Sequence, residues 1–269
     1  MNTSVIDQMI RWEAGLVQHL SDELAEEEPL EIRVRGKAVS VTMRTPGHDE
    51  ELAAGFLLSE NVIRRREDVI SIEPCRSSEY GNTIHVRLSP ETSADLSRLT
   101  RHVFASSSCG LCGKATIESI RARLEPIAGG AQPAVSAAKL CAMPAIMRRT
   151  QIGFDRSGGL HAAALFDMTG KMLVMREDIG RHNAVDKVLG HAFLNDWLPL
   201  NSHVLLVSGR TSFEIIQKAL AGGVAVVAAI SAPSSLAVQF ASENNQTLIG
   251  FLREGRMNVY AGAQRVLFE

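Results

Sequence analysis

From residue 30 the chain alternates apolar and polar positions in two short runs, residues 30–35 and 38–44, with Gly36-Lys37 between them. A period of two turns one face of a strand to a core and the other to water, and a two-residue break containing Gly closes a hairpin. Leu52, Ala53, Phe56 and Leu57 then recur at helical spacing within residues 49–60. Residues 69–73 and 83–88 return to strand-like runs, so this first section predicts a small α+β unit. Residues 1–28 are mixed and show no such rhythm, and Glu26-Glu27-Glu28-Pro29 reads as a solvated acidic turn.

Residues 104–114 break the pattern with a Ser- and Gly-rich loop. A helix is expected soon after it, through Thr116, Ile117, Ile120 and Leu124, and residues 128–133 make the best linker in the chain. The sequence thus divides into an N-terminal α+β domain, residues 1–128, and a second domain, residues 129–269. In the second, residues 160–166 and 172–175 predict a hairpin around Asp167-Met168-Thr169-Gly170. Helices over 184–194, 212–220 and 234–242 then alternate with apolar strands over 203–207, 224–230 and 247–252, and residues 257–260 make a further strand candidate. Such alternation after an opening hairpin defines an α/β class with a mostly parallel sheet covered on both faces.

Ligands bind beyond the carboxyl ends of the strands in sheets of this kind. The segments expected there are Ser208-Gly209-Arg210-Thr211, Ser231-Ala232-Pro233-Ser234 and Arg253-Glu254-Gly255-Arg256. Backbone amides at helix starts, together with Arg forks, suit phosphate groups. The same turns equally suit plain connections in which Ser and Thr cap helices. Glu177-Asp178-Ile179-Gly180-Arg181-His182-Asn183 has two readings as well. It is either a polar helix start capped by Asp178 or a cluster that presents Arg181 and His182 to an anion. His161 opens a strand nearby.

Bulk properties narrow the class. The chain has 269 residues, 45% hydrophobic, with net charge −2, pI about 6.5 and mean hydropathy +0.04. A general nucleic-acid binder would be basic, so that class is disfavoured. Residues 1–8 lack a basic stretch leading into an apolar run, and the most apolar segment, 222–230, is too short to span a bilayer. A soluble cytoplasmic protein without a membrane partner is the expectation.

Of the four cysteines, Cys141 sits on an apolar helical pattern and Cys75 lacks a reactive setting, whereas Cys109 and Cys112 lie in Ser106-Ser107-Ser108-Cys109-Gly110-Leu111-Cys112-Gly113-Lys114. A Cys-x-x-Cys pair serves as attacking and resolving thiols or as two ligands of a soft metal. A structural zinc knuckle needs two more ligands, and neither a second Cys-x-x-Cys nor a His-x₃-His is found. A thioredoxin-like reductase places its pair early in a βαβ unit, unlike this one. Inert cysteines would want an apolar core rather than Ser and Gly. Lys114 and the start of the next helix favour thiolate, which can hold sulfane sulfur as a persulfide.

The cysteine segment, residues 158–165, residues 176–187, Ser208-Gly209-Arg210, Ser231-Ala232-Pro233-Ser234-Ser235 and residues 250–256 together resemble the FdhD family of formate dehydrogenase accessory sulfurtransferases. The resemblance runs from about Pro29 to the C-terminus. It implies a cytidine-deaminase-like C-terminal α/β/α domain beside the smaller N-terminal α+β domain, and a homodimer. It also implies sulfur received from a cysteine desulfurase on Cys109, with Cys112 assisting, and passed to the molybdenum cofactor in its bis-molybdopterin guanine dinucleotide form, for formate dehydrogenase. Phe251, Leu252, Arg253, Glu254, Gly255 and Arg256 match the segment that contacts that cofactor. True deaminases carry His-x-Glu before a Pro-Cys-x-x-Cys. In this chain Ala162 and Ala163 follow His161, and the cysteine pair precedes it, so neither deamination nor zinc is expected. The alternatives are a non-catalytic cofactor chaperone and a thiol-disulfide oxidoreductase.

Overall fold

The computed structural model describes residues 3–75, 81–92, 96, 124–129 and 133–269. It opens with two ten-residue strands, β1 (Ser4–Glu13) and β2 (Leu16–Ala25), paired antiparallel from Ser4 opposite Ala25 to Glu13 opposite Leu16. The sequence predicts no strand there, because most of this ribbon is exposed and its apolar positions do not follow a buried face.

Next come β3 (Glu28–Val34) and β4 (Lys37–Arg44). The expected hairpin is present, with its turn one residue earlier than Gly36-Lys37. Arg35 and Gly36 have φ of 50° and 77°, the double positive φ that suits the twist of paired strands. Glu28 and Pro29 belong to β3, so the acidic run is in part strand. Helix α1 (Asp49–Ser59) follows, then β5 (Val69–Pro74) and β6 (Thr83–Leu88). The sheet order is β4-β3-β6-β5, with β3 and β6 parallel. Leu30, Ile32 and Val34 of β3 and Ile84, Val86 and Leu88 of β6 are all buried, as the two-residue period demands. Arg44 fixes the strand to the helix, bonding both carboxylate oxygens of Asp49 at 2.9 and 3.0 Å and Glu28 at 3.0 Å.

The rest begins with β7 (Val135–Ser136), α2 (Ala137–Arg148) and α3 (Ile152–Ser157). There follow β8 (His161–Asp167), β9 (Met172–Asp178), α4 (Arg181–Leu194), β10 (His203–Val207), α5 (Phe213–Ala221), β11 (Val226–Ala229), α6 (Ser235–Glu243), β12 (Thr247–Arg253), β13 (Arg256–Ala261) and β14 (Val266–Leu267). Strands β8 to β13 form one sheet in the order β13-β12-β11-β10-β8-β9. It is mixed rather than mostly parallel. Strands β10, β11 and β12 run parallel, while β8, β9 and β13 pair antiparallel, because hairpins at both ends reverse the chain without a crossover. The short β14 pairs with β7 in parallel.

Helices α1 and α4 stack between the two sheets. Gly55 and Gly190 meet in this seam: a Cβ on Gly55 would lie 1.8 Å from the Asp186 carbonyl oxygen, and one on Gly190 would lie 1.8 Å from that of Glu51. One hydrophobic cluster runs through both sheets and the helices between them. Loop 104–114 and Thr116, Ile117 and Ile120 of the expected helix lie outside the described residues, as do residues 130–132 of the linker, and Leu124, where that helix was expected to continue, sits in a bend. Among the described residues no helix is long and apolar enough to cross a membrane.

A cationic rim as candidate functional site

Strand β10 is apolar throughout Val204–Val207 and buried, and polarity returns at Ser208. That residue extends the sheet by other means: its amide donates to the Ala162 carbonyl at 2.9 Å and its hydroxyl accepts from the Ala162 amide at 2.9 Å. The chain then turns through Gly209 and Arg210 to Thr211, whose amide donates to the Ala232 carbonyl at 3.1 Å and whose carbonyl accepts from the Ser234 amide at 3.0 Å. Ser234 caps α6, its hydroxyl accepting from the Ala237 amide at 3.2 Å. The Phe251 amide donates to the Ser231 carbonyl at 3.1 Å. Two of the three turns predicted from sequence, 208–211 and 231–234, are therefore laced together at the carboxyl ends of β10 and β11, and Phe251 of β12 joins them at the same edge.

Antiparallel β8 and β9 bring two more groups to that edge. His161 stands opposite Asp178, and Arg181 opens α4 just beyond. Both side chains converge over Gly209: a Cβ at this position would lie 3.3 Å from His161 Nδ1 and 3.5 Å from Arg181 Cδ. Burial, then the nearby charges of Arg181 and His182, push the His161 imidazole below its usual pKa; Arg210 adds to this and Asp178 opposes it. Four cationic or ionisable donors thus gather at one place. Two buried polar atoms along this edge, Arg181 Nε and Thr211 Oγ1, have no hydrogen-bond partner among the described residues. Orphans of this kind are rare and call for a ligand or a water.

The 177–183 run divides between its two readings. Asp178 is fully buried and structural. It accepts from the amides of Gly180 at 2.8 Å and Thr45 at 3.2 Å, from Asn183 Nδ2 at 3.0 Å and from Lys187 Nζ at 2.7 Å. Lys187 also donates to the Thr45 carbonyl at 2.9 Å. Glu177 holds the Gly153 and Phe154 amides at the start of α3, both at 2.8 Å. Arg181 and His182 are left to the rim, where His182 Nε2 lies 2.9 Å from Glu214 and 3.4 Å from Ser212 Oγ. Nothing in the sequence pattern assigns a role to Lys187, Thr45 or Glu214. Thr45 and Glu214 meet partners far along the chain, and Lys187 reaches back from α4 to Asp178 at the end of β9, pairings that no local spacing reveals.

Phe251 has φ of 51°, a left-handed conformation that an aromatic residue rarely adopts and that clusters at functional sites. It sits where the β12–β13 register shifts, and such a bulge re-aims a side chain. Gly250 before it is obligatory, since a Cβ would come 2.8 Å from Pro233 Cδ and 3.0 Å from Tyr260 Cε2. Leu252 is enclosed in the core, whereas Arg253, Glu254, Gly255 and Arg256 form an exposed turn in which the two arginines stand opposite one another. Like charges so placed repel unless an anion lies between them. Cys109 and Cys112 lie outside the described residues; Cys75 and Cys141 are half-buried. Among the described residues no three His, Cys, Asp or Glu side chains converge as a metal cluster.

Fold and site together define a mixed α/β protein with an anion-suited rim on its central sheet. The chain belongs to the FdhD/NarQ family, whose model matches residues 25–267. Two relatives are each called sulfur carrier protein FdhD. The one from Mycobacterium tuberculosis is 51% identical, covering 93% of this chain and 96% of its own. That from Streptomyces coelicolor is 49% identical, covering 96% and 94%. A solved structure described as a candidate formate dehydrogenase accessory protein from Desulfotalea psychrophila superposes with a TM-score of 0.77 at 22% identity, over 99% of this chain and 100% of that one; this similarity bears on the fold alone.

Proposed function

We propose that the protein is a sulfurtransferase that accepts persulfide sulfur from a cysteine desulfurase and delivers it to the molybdenum cofactor, in its bis-molybdopterin guanine dinucleotide form, for formate dehydrogenase. The observation that carries this reading is the near-half identity, over most of the chain, to proteins named sulfur carriers. The Ser/Gly-flanked pair Cys109 and Cys112 supplies the thiol chemistry such a carrier needs. The protein acts in the cytoplasm as a homodimer on the deaminase-like core that the sequence resemblance implies.

In the transfer step the Cys109 thiolate attacks the outer sulfur of the desulfurase persulfide. A new S–S bond forms on Cys109, the donor S–S bond breaks, and the desulfurase cysteine leaves as thiolate; no electrons are gained or lost overall. Cys112 assists or shares the load. The substrate cofactor carries phosphates, which match His161, Arg181 and Arg210 at the rim, the opposed Arg253 and Arg256, and the orphan donors Arg181 Nε and Thr211 Oγ1. The low dielectric of the partly enclosed edge strengthens the contacts of His161, Arg181 and Thr211. Phe251, re-aimed by its bulge, offers an aromatic face for the guanine base.

The test is incubation with a desulfurase and cysteine followed by peptide mass spectrometry. The expected result is a gain of about 32 Da, one sulfur, on the peptide holding Cys109, lost in Cys109→Ala while guanine nucleotide binding persists. Full formate dehydrogenase activation by Cys109→Ala and Cys112→Ala variants alike would leave only a chaperone. Turnover of a small disulfide with no sulfur gain would make the protein an oxidoreductase.

A further inference from the structure

Two ion pairs join α4 to α5, one helical turn apart. In the inner pair Asp186 accepts from Lys218 Nζ at 2.7 and 2.9 Å and from Ser59 Oγ of α1 at 2.8 Å. Asp186 is buried, and a carboxylate in such a place is tolerable because a cation and a hydroxyl answer it. The inner pair is a packing device between helices.

The outer pair is set differently. His182 Nε2 lies 2.9 Å from Glu214 Oε2 and 3.4 Å from Ser212 Oγ, and the two ionisable side chains are 11% and 12% exposed. Both belong to the edge already described. His182 follows Arg181 in the first turn of α4, close enough to His161 for its charge to act on that imidazole. Glu214 lies in the first turn of α5, which begins directly after the 208–211 turn.

A carboxylate is out of place there. Arg181, Arg210 and His161 gather at this edge, and an acid beside them repels any anion they attract. Glu214 needs a purpose that outweighs this repulsion, and its contact with His182 supplies one. A carboxylate accepts hydrogen bonds and donates none, so the 2.9 Å contact puts a proton on His182 Nε2. The ring's angle and its donor atom are then both settled by a residue of the neighbouring helix. Arg181 Nε has no hydrogen-bond partner among the described residues, so the place of that nitrogen follows the backbone turn that Arg181 shares with His182.

We propose that Glu214 is a positioning residue for the rim and acts through His182: by taking the Nε2–H it holds the ring, and with it the first turn of α4, in place against the start of α5. This rests on the rim being the anion site of the proposed function and adds the residue that sets its geometry.

Calorimetric titration of the full chain with guanosine diphosphate reads the effect. Glu214→Ala weakens binding by roughly 10-fold, the worth of one hydrogen bond to a charged group. Glu214→Gln keeps an oxygen that accepts from Nε2–H and loses roughly threefold or less, as befits a neutral acceptor. A bystander carboxylate gives the opposite sign, since removing it tightens anion binding. The double variant His182→Gln, Glu214→Ala binds no worse than His182→Gln alone, because the acid acts through the ring. Proton NMR of histidine-labelled protein gives a signal that a packing role leaves unmoved. The Nε2–H of His182, identified by its loss in His182→Gln, appears downfield in the wild type and vanishes by solvent exchange in Glu214→Ala. Unchanged or tighter binding in both Glu214 variants, full additivity in the double variant, or a persistent Nε2–H signal in Glu214→Ala overturns this inference and leaves the anion site standing. A wild type that binds no guanosine diphosphate overturns the anion site and the inference together.

Discussion

Gly190→Ala tests the seam on which the candidate site depends, since α4 carries Arg181 and His182 at its first turn. The added Cβ would stand 1.8 Å from the Glu51 carbonyl oxygen, 2.6 Å from that carbonyl carbon and 2.8 Å from the Gly55 amide nitrogen. Each of these is backbone and cannot rotate away. Restoring a separation of about 3 Å requires α1 and α4 to move apart by roughly 1.2 Å, and gaps of 0.5–1 Å already forfeit about a quarter to a half of each atom pair's dispersion attraction. Overpacking of this kind costs about 1–3 kcal/mol and occasionally more; because the two helices part along the whole seam, the upper end, about 3 kcal/mol, is apt. Replacing Gly by Ala inside a helix returns up to about 1 kcal/mol. The clash wins, leaving roughly 2 kcal/mol of net destabilisation, or a Tm lower by about 4–8 °C for a chain of this size. Thermal unfolding followed by circular dichroism measures it. Gly55→Ala clashes in the same gap, so the double variant loses less than the two single losses combined, the second methyl falling into space the first has opened. An unchanged or higher Tm for Gly190→Ala, or strict additivity in the pair, would refute this account of the seam.

Three further outcomes are expected. Arg181→Gln weakens binding of a guanine nucleotide by roughly 10–100-fold, the worth of a charge-assisted hydrogen bond, read by isothermal titration calorimetry; undiminished affinity removes Arg181 from the rim. His161 has a pKa held below its unfolded value, so its contribution to stability is present above the ordinary histidine pKa and is lost as pH falls through the depressed one. Urea unfolding at pH 7.5 and at pH 5 therefore shows a smaller loss on acidification for His161→Gln than for wild type; an equal loss in both contradicts the placement of that imidazole. Gly250→Ala pushes on Pro233 and Tyr260 and displaces Phe251, lowering nucleotide affinity more than it lowers Tm. A variant that loses both in proportion is simply misfolded.

How much of this could be read in advance depends on where each residue's partner lies. The β3–β4 hairpin was legible because Leu30, Ile32 and Val34 face one core in strict alternation. The β1–β2 ribbon was not, since Ile6, Ile10 and Trp12 point to solvent and no buried face imposes a rhythm. Around Cys141 only an apolar helical spacing was visible, and Pro144 inside α2 resembles a helix breaker, which obscured the helix. The parallel strands β10 to β12 stood out as apolar runs, but alternation with helices does not reveal that β12 returns through Gly255 as an antiparallel hairpin. At the site, small polar residues and arginines after each apolar run marked the three turns. The pairing of His182 with Glu214, or of Asp178 with Lys187 and Thr45, joins elements that meet only in the folded chain.

The rim draws on β8, the first turn of α4, the turns after β10 and β11, and Phe251 within β12. A ribosome must therefore synthesise the chain at least as far as Phe251 before these groups can come together. Under the proposed function, a nascent or clipped chain that stops short of Phe251 lacks part of the place proposed for the dinucleotide, and ligand capture would report on synthesis past that point. A ligand bound there would in turn stabilise the chain by mass action, so proteases would spare protein that has found the proposed cargo and remove protein that has not.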